Sequence, residues 1–123
     1  MAENTFPEDL RAAQLRLHQA TAELAGLVRS LPWSVEPHEG WPGAEHPHTG
    51  RTAGGRPSSP GWSEREKVAV DRLRAECLAL SEAVATHPYW AEVAREDVVA
   101  ARTELKAATR PAAAPAPDVT PAA

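Results

Sequence analysis

Three histidines in one segment are the first residues that could do chemistry. His38, His46 and His48 lie close together in the chain, with Glu39 and Glu45 beside them. Imidazole and carboxylate groups bind zinc, but three or four of them must converge on the ion at about 2.0–2.2 Å. In an extended segment His46 and His48 point to different sides, so both could bind one ion only across a turn. The pattern permits a metal-binding regulator, and solvent-exposed loop histidines are the simpler interpretation.

The same segment contains Trp33, Trp41 and Trp62, three of the four tryptophans. Together they could form a groove that binds a proline-rich or helical peptide. They could also fold the segment back over a thin helical core, because each indole buries a large area. We favour this structural role for Trp33 and Trp62, which flank predicted helices. Trp41 is the best candidate for a partner contact.

Basic residues near the end of the chain could contact phosphate groups. They fall near one face of a predicted helix and are Arg95, Arg102, Lys106 and Arg110. Acidic residues interleave with them, so the helix is close to neutral, and cations late in a helix also complement its dipole. A nucleic-acid accessory factor is therefore an alternative that the electrostatics disfavour.

Cys77 is the only cysteine, so no internal disulfide is predicted. It lies on the apolar stripe of a predicted helix, where a cysteine acts as a small hydrophobic residue rather than as a catalytic thiol. The sequence contains no nucleophile elbow, phosphate-binding loop, dinucleotide fingerprint or paired metal-ligand motif. We therefore expect no enzymatic activity, no cofactor and no small-molecule substrate.

Two long helices must position these residues. They are predicted over about 6–30 and about 63–86, each from a narrow apolar stripe with alternating spacings of three and four. The stripes are Leu10, Ala13, Leu17, Ala20, Leu24, Leu27 and Leu31 in the first helix, and Val70, Leu73, Cys77, Leu80 and Val84 in the second. Capping boxes are predicted at Thr5–Glu8 and Ser63–Glu66.

A third helix is predicted over about 88–109, because Pro88 suits a first helical turn. Trp90, Ala94, Ala101 and Leu105 should face inward. The stretch 95–97 is expected to contain a kink or a second start. The tail over 111–123 is rich in Pro and Ala, so we predict that it is disordered.

The connection over 32–62 differs from both helices. Twelve of its 31 positions are Pro or Gly, which blocks any long regular element. We predict an irregular loop with aromatic anchors over 32–47 and a mobile stretch from Thr49 to Pro60. The matching helix lengths favour an antiparallel pair, although a connection this long leaves parallel and intermolecular pairing open.

The predicted fold class is therefore all-α, with a two-helix antiparallel hairpin and a third helix in one small domain over 1–110. The chain has 123 residues, a net charge of −4 and 42% hydrophobic residues, many of them Ala. A domain of this size has a thin core, so a partner is expected. The start lacks the features of a signal peptide, and no run approaches the ~20 apolar residues of a membrane span. We expect a cytoplasmic protein with no membrane contact.

Several phrases of the sequence belong together as an ensemble. They are LPWSVEP (31–37), WPG (41–43), EHPHTG (45–50), SPGW (59–62) and THPYW (86–90). This ensemble resembles small uncharacterised proteins of actinobacteria, of the kind found near mobile elements. The resemblance covers the first helix to about residue 108. It implies a cytoplasmic accessory protein and supplies no activity and no catalytic residues.

These observations predict a non-enzymatic helical protein that binds another protein or itself.

Overall fold

Three α-helices dominate the computed structural model, which describes residues 5–111. The elements in chain order are α1 (Glu8–Ser30), β1 (Ala44–Glu45), β2 (Thr52–Ala53), α2 (Glu64–Ala85), two 3₁₀ turns (Pro88–Glu92 and Arg95–Asp97) and α3 (Val98–Thr109). The described chain is thus mostly helical, as predicted, with a small antiparallel sheet that the sequence did not predict. Within residues 5–111, no helix combines the length and apolarity that a membrane crossing requires.

The two long helices lie within two residues of their predicted bounds. The start of α2 is the predicted capping box: the Glu66 N–H donates to Ser63 Oγ at 3.1 Å, and the Ser63 N–H donates to Glu66 Oε1 at 2.7 Å. The start of α1 differs from the prediction. The Pro7 carbonyl accepts the first helical hydrogen bond, from the Arg11 N–H at 3.0 Å. Thr5 therefore precedes the turn that it was predicted to cap.

The helix predicted over about 88–109 is shorter in the structure. His87 caps the first 3₁₀ turn, because its Nδ1 accepts a hydrogen bond from the Tyr89 N–H at 3.1 Å. Ala94 then has a non-helical ψ of 136°, which separates the two turns and delays α3. The break changes which residues face inward: Ala101 and Leu105 are buried as predicted, whereas Ala94 is exposed.

The described residues divide into two compact units. The single small domain over 1–110 stays a prediction. Unit 1 contains the described residues 5–22 and 75–111, and unit 2 contains 23–74. The predicted disordered tail falls outside the described residues from position 112 onward.

The core of unit 1 is small and partly aromatic. Its buried side chains are Phe6, Leu10, Val84 and Leu105, with Ala13, Tyr89 and Trp90 packed against them. Phe6 meets Tyr89 edge-on, with ring centroids 5.5 Å apart and an interplanar angle of 67°. Such pairs add to the energy of simple area burial. Phe6 was not predicted as a core residue, because it precedes the first helical stripe.

An ion pair and a hydrogen bond between a histidine and a carboxylate also hold unit 1 together. Arg16 binds Glu76 through two hydrogen bonds, Nη2 to Oε1 at 2.6 Å and Nε to Oε2 at 2.8 Å. The guanidinium lowers the pKa of Glu76 because it stabilises the carboxylate. His87 Nε2 lies 3.0 Å from Asp9 Oδ2, and this hydrogen bond lowers the pKa of Asp9.

Unit 2 has one fully buried aliphatic side chain, Val70. Lys67 binds Glu36 at 3.0 Å and Glu64 at 3.2 Å, which ties the start of the connection to α2. The hydrogen bond with Glu36, followed by that with Glu64, raises the pKa of Lys67.

Candidate functional site

The connection between α1 and α2 forms a long antiparallel excursion with one register. The pairs that carry its backbone bonds or bridges are Val35–Trp62, His38–Ser59, Trp41–Arg56, Ala44–Ala53, Glu45–Thr52 and His46–Arg51. In all six pairs, moving forward by some number of residues in one arm means moving back by the same number in the other, as in an antiparallel pair without a bulge. The segment 35–62 is therefore an irregular β-hairpin, named here the Trp hairpin. The prediction of an irregular loop omitted this ordered pairing.

Glycines permit the close approach of the two arms. Gly40 has a φ of +77°, a region that L side chains rarely adopt. A Cβ added there would lie 2.6 Å from the Pro57 carbonyl carbon. Prolines in both arms lack an N–H, so the ladder is interrupted and only short strands form. The high content of Pro and Gly, which predicted a loop, is thus compatible with a hairpin in which cross-strand hydrogen bonds occur only at intervals.

All three tryptophans of this region donate their indole N–H to backbone carbonyls. Trp33 donates to the Pro57 carbonyl, and Trp41 donates to the Gly54 carbonyl, each at 2.8 Å. Trp62 donates to the Pro32 carbonyl, also at 2.8 Å. These bonds fix the orientation of each ring, because every indole has only this one donor. All three residues therefore help to hold the hairpin together.

Two of these tryptophans also form an exposed group with His38. The ring centroids of Trp33, His38 and Trp41 lie 5.2–5.6 Å apart in each pair, in tilted or edge-to-face arrangements. The Arg56 guanidinium carbon lies 5.5 Å from the Trp33 ring centroid, a cation–π distance. Trp33 is 36% exposed and Trp41 is 47% exposed. This set of four residues is named the aromatic cluster.

A family model described as a domain of unknown function, DUF8825, matches residues 9–108. The chain belongs to the DUF8825 family. No curated protein and no solved structure matches this chain. The DUF8825 match contains the whole Trp hairpin, α2 and all but one residue of both α1 and α3, so the hairpin lies inside the family domain. The predicted resemblance to an uncharacterised family is confirmed, whereas the actinobacterial source and the placement near mobile elements stay predictions.

The structure separates the three predicted metal-binding histidines into two places. His46 and His48 lie at the tip of the Trp hairpin with ring centroids 5.8 Å apart, and His38 belongs to the aromatic cluster. His46 Nδ1 accepts the His48 N–H at 3.2 Å, and His38 Nδ1 accepts the Gly40 N–H at 2.8 Å. Among the residues that the structure describes, no three His, Cys, Asp or Glu side chains are grouped to hold a metal. Metal binding stays a prediction of the sequence.

The predicted phosphate-binding residues do not share one helix. Arg95 lies in the second 3₁₀ turn, whereas Arg102 and Lys106 lie on α3, and Arg110 follows its end. Nucleic-acid binding through these residues likewise stays a prediction. Cys77 is half-buried, with its Sγ 3.9 Å from the Thr21 hydroxyl oxygen, in a position that fits the predicted seam.

Two features were missed by the sequence reasoning. Arg56 was not a candidate in the sequence, and only the hairpin register places it beside Trp33. A cavity in unit 1 was also not predicted. Its wall includes Gln14, which is 3% exposed. A signal existed for this residue, because Gln14 lies four positions after Leu10 and three before Leu17, on the apolar face of α1.

Proposed function

We propose that this protein is a non-enzymatic helical interaction protein that binds another protein through the aromatic cluster. One observation carries the proposal: Trp33 and Trp41 are exposed while their indole N–H groups are bound inside the molecule. The ring surfaces are therefore held open to solvent in one orientation. Rigid aromatic groups lose little conformational entropy when they bind, which favours their use at interfaces.

The chemistry of the cluster indicates the kind of partner. Its indole donors are already used, so it offers aromatic surface and the Arg56 guanidinium rather than free N–H groups. Trp and Arg are the residues that most often dominate binding energy at protein interfaces. A partner segment with apolar side chains and an acidic group near them would complement this surface. A second copy of the chain is the alternative occupant.

The rest of the molecule acts as the support for this surface in the proposal. We infer that α1 and α2 pair as an antiparallel hairpin. In support, Asp9 in the first turn of α1 contacts His87, which follows the end of α2, whereas Arg16, further along α1, contacts Glu76 within α2. The start of α1 therefore lies beside the end of α2. A cytoplasmic accessory role, as the resemblance implies, completes the proposal.

A quantitative affinity purification tests the partner contact. The tagged wild-type chain, Trp41→Ala and Leu78→Ala would each be incubated with nuclease-treated lysate of the source organism, and bound proteins would be measured by mass spectrometry. Leu78 is 72% exposed on α2 and lies outside the cluster. Leu78→Ala therefore serves as a control that also removes exposed apolar surface. Circular dichroism would confirm that each variant keeps its helices.

The proposal predicts one near-stoichiometric protein that the wild type and Leu78→Ala retain and that Trp41→Ala loses. Arg56→Gln should weaken the same complex about tenfold, because charged groups at interfaces commonly contribute this much. A partner that Trp41→Ala retains would contradict the proposal. Concentration-dependent dimerisation that Trp41→Ala abolishes would assign the surface to a second copy instead.

A further inference from the structure

A cavity of about 160 Å³ lies in unit 1, and it is distinct from the aromatic cluster. Its apolar wall consists of Leu17, Val84, Trp90 and Leu105. Val84 and Leu105 are buried core residues, at 6% and 1% exposure. Trp90 is fixed by a hydrogen bond from its indole N–H to the Val84 carbonyl at 2.6 Å. The apolar side of the cavity is therefore formed by firmly placed groups.

The polar side of the cavity contains two cations, an amide and a hydroxyl. Arg102 and Lys106 are one helical turn apart on α3, so they lie on the same face. Gln14 is almost fully buried, and its side-chain amide lines the cavity. Ser81 adds its hydroxyl group, and none of the residues that line the cavity is acidic. The Gln14 amide can both donate and accept hydrogen bonds, so it can orient a polar group that enters the cavity.

We propose that this cavity binds a small monocarboxylic acid with a compact apolar body. The carboxylate would accept hydrogen bonds from Arg102 and Lys106, which provide the charge-assisted donors that carboxylates favour. The Gln14 amide would donate a further hydrogen bond. The apolar body would pack against Trp90 and Leu105.

The volume sets the size of the apolar body. A protein cavity of about 150 Å³ accommodates a benzene molecule. The cavity here has about the same volume, so the ligand matches a benzoate or a branched aliphatic acid of similar size. A ligand with so few atoms binds with a dissociation constant on the order of 1 mM or somewhat below.

A titration followed by NMR tests this site with benzoate as the probe. The full chain, labelled with ¹⁵N, would be titrated with benzoate, with neutral benzamide and with acetate. Benzamide keeps the ring and removes the charge, whereas acetate keeps the charge and removes the ring. We expect saturable shifts of the Trp90 indole and Gln14 side-chain amide signals with benzoate. We also expect affinity at least tenfold lower for both control ligands.

Two variants distinguish binding of benzoate in the cavity from general electrostatic attraction of an anion to the protein. Arg102→Met should weaken benzoate binding about tenfold. Arg95→Met removes an equal charge outside the cavity and should leave the affinity unchanged. Both arginines are exposed, and melting curves would confirm that both variants fold. Equal binding of benzamide, equal losses in the two variants, or no saturable shift at 10 mM benzoate would each overturn the proposal.

Discussion

At the scale of single residues, His87 joins two parts of unit 1. Its Nδ1 accepts the Tyr89 N–H, which leaves Nε2 as the protonated nitrogen of the neutral ring. That nitrogen lies 3.0 Å from Asp9 Oδ2 in the first turn of α1. One side chain thus caps the first 3₁₀ turn and links it to α1.

The carboxyl group of Asp9 should make the stability of the fold depend on pH. The hydrogen bond with His87 lowers the pKa of Asp9 from 3.8, so the folded protein binds fewer protons there than the unfolded chain. Its contribution is present above about pH 4 and is lost as pH falls through the lowered value. Urea unfolding at several pH values should show a shallower acid loss of stability for Asp9→Asn than for the wild type.

The neighbouring carboxylate provides the control for this measurement. Glu8 lies in the same helical turn and makes no bond with His87. Glu8→Gln should therefore follow the wild-type pH profile more closely than Asp9→Asn does. Identical profiles for the wild type and Asp9→Asn would show that the pair with His87 contributes nothing to folding.

At the scale of elements, the two long helices begin by different means. The side chains of Ser63 and Glu66 both bond to backbone N–H groups at the start of α2, whereas among the described residues, from position 5 onward, no such pair begins α1. Ser63→Ala should reduce the free energy of unfolding by about 1 kcal/mol. Thr5→Ala should change it by less than about 0.5 kcal/mol. Chemical unfolding of both variants checks this, and an equal loss would restore Thr5 as a capping residue.

A pair of glycine substitutions tests the geometry of the Trp hairpin. Gly40→Ala should destabilise the protein by about 2–3 kcal/mol, because the backbone has a positive φ and the other arm leaves no room for a Cβ. Gly26 lies within α1 with nothing within 4 Å of an added Cβ. Gly26→Ala should therefore stabilise the protein by about 0.5–1 kcal/mol. Denaturant unfolding of both variants measures the difference, and a neutral Gly40→Ala would contradict the hairpin.

The elements also show how far the sequence could predict the structure. Helical periodicity predicted α1 and α2 because each carries one continuous stripe of buried and half-buried residues, from Leu10 and from Val70 onward. Periodicity did not predict the break over 88–97, because the cap by His87 and the extended backbone at Ala94 are single local features that leave no repeating pattern in the sequence. It failed over 35–62 because the pairing there joins residues that are distant in sequence, with bonds only at intervals. Composition alone describes such a segment as a loop.

The candidate sites depend on the same long-range information. Trp33 and Trp41 were identified from their residue type, but their contact with His38 and Arg56 follows only from the hairpin register. Arg102 and Lys106 were identified as a basic stripe, and the structure places them beside a cavity. Residue types were therefore predictable, and their neighbours were not.

At the scale of the whole molecule, few aliphatic side chains are buried among the described residues, and three of the four tryptophans lie in the connection between α1 and α2. Its described residues divide into a unit with an aromatic and aliphatic core and a unit that contains the Trp hairpin. The DUF8825 match extends over both units. The aromatic cluster exists only if the two arms pair, so the proposed function depends on an ordered connection inside the family domain.

Hydrogen exchange of the backbone amides, measured by NMR on the full chain, tests this claim most directly. The amides of His38, Trp41, Arg56 and Ser59 donate across the hairpin at 2.7–3.0 Å. We predict that they exchange at least about tenfold more slowly than unstructured amides, and more slowly than Glu39, which lies between two of the bridges. Exchange of all these amides at the rates of an unfolded chain would contradict the ordered hairpin and the interaction surface built on it.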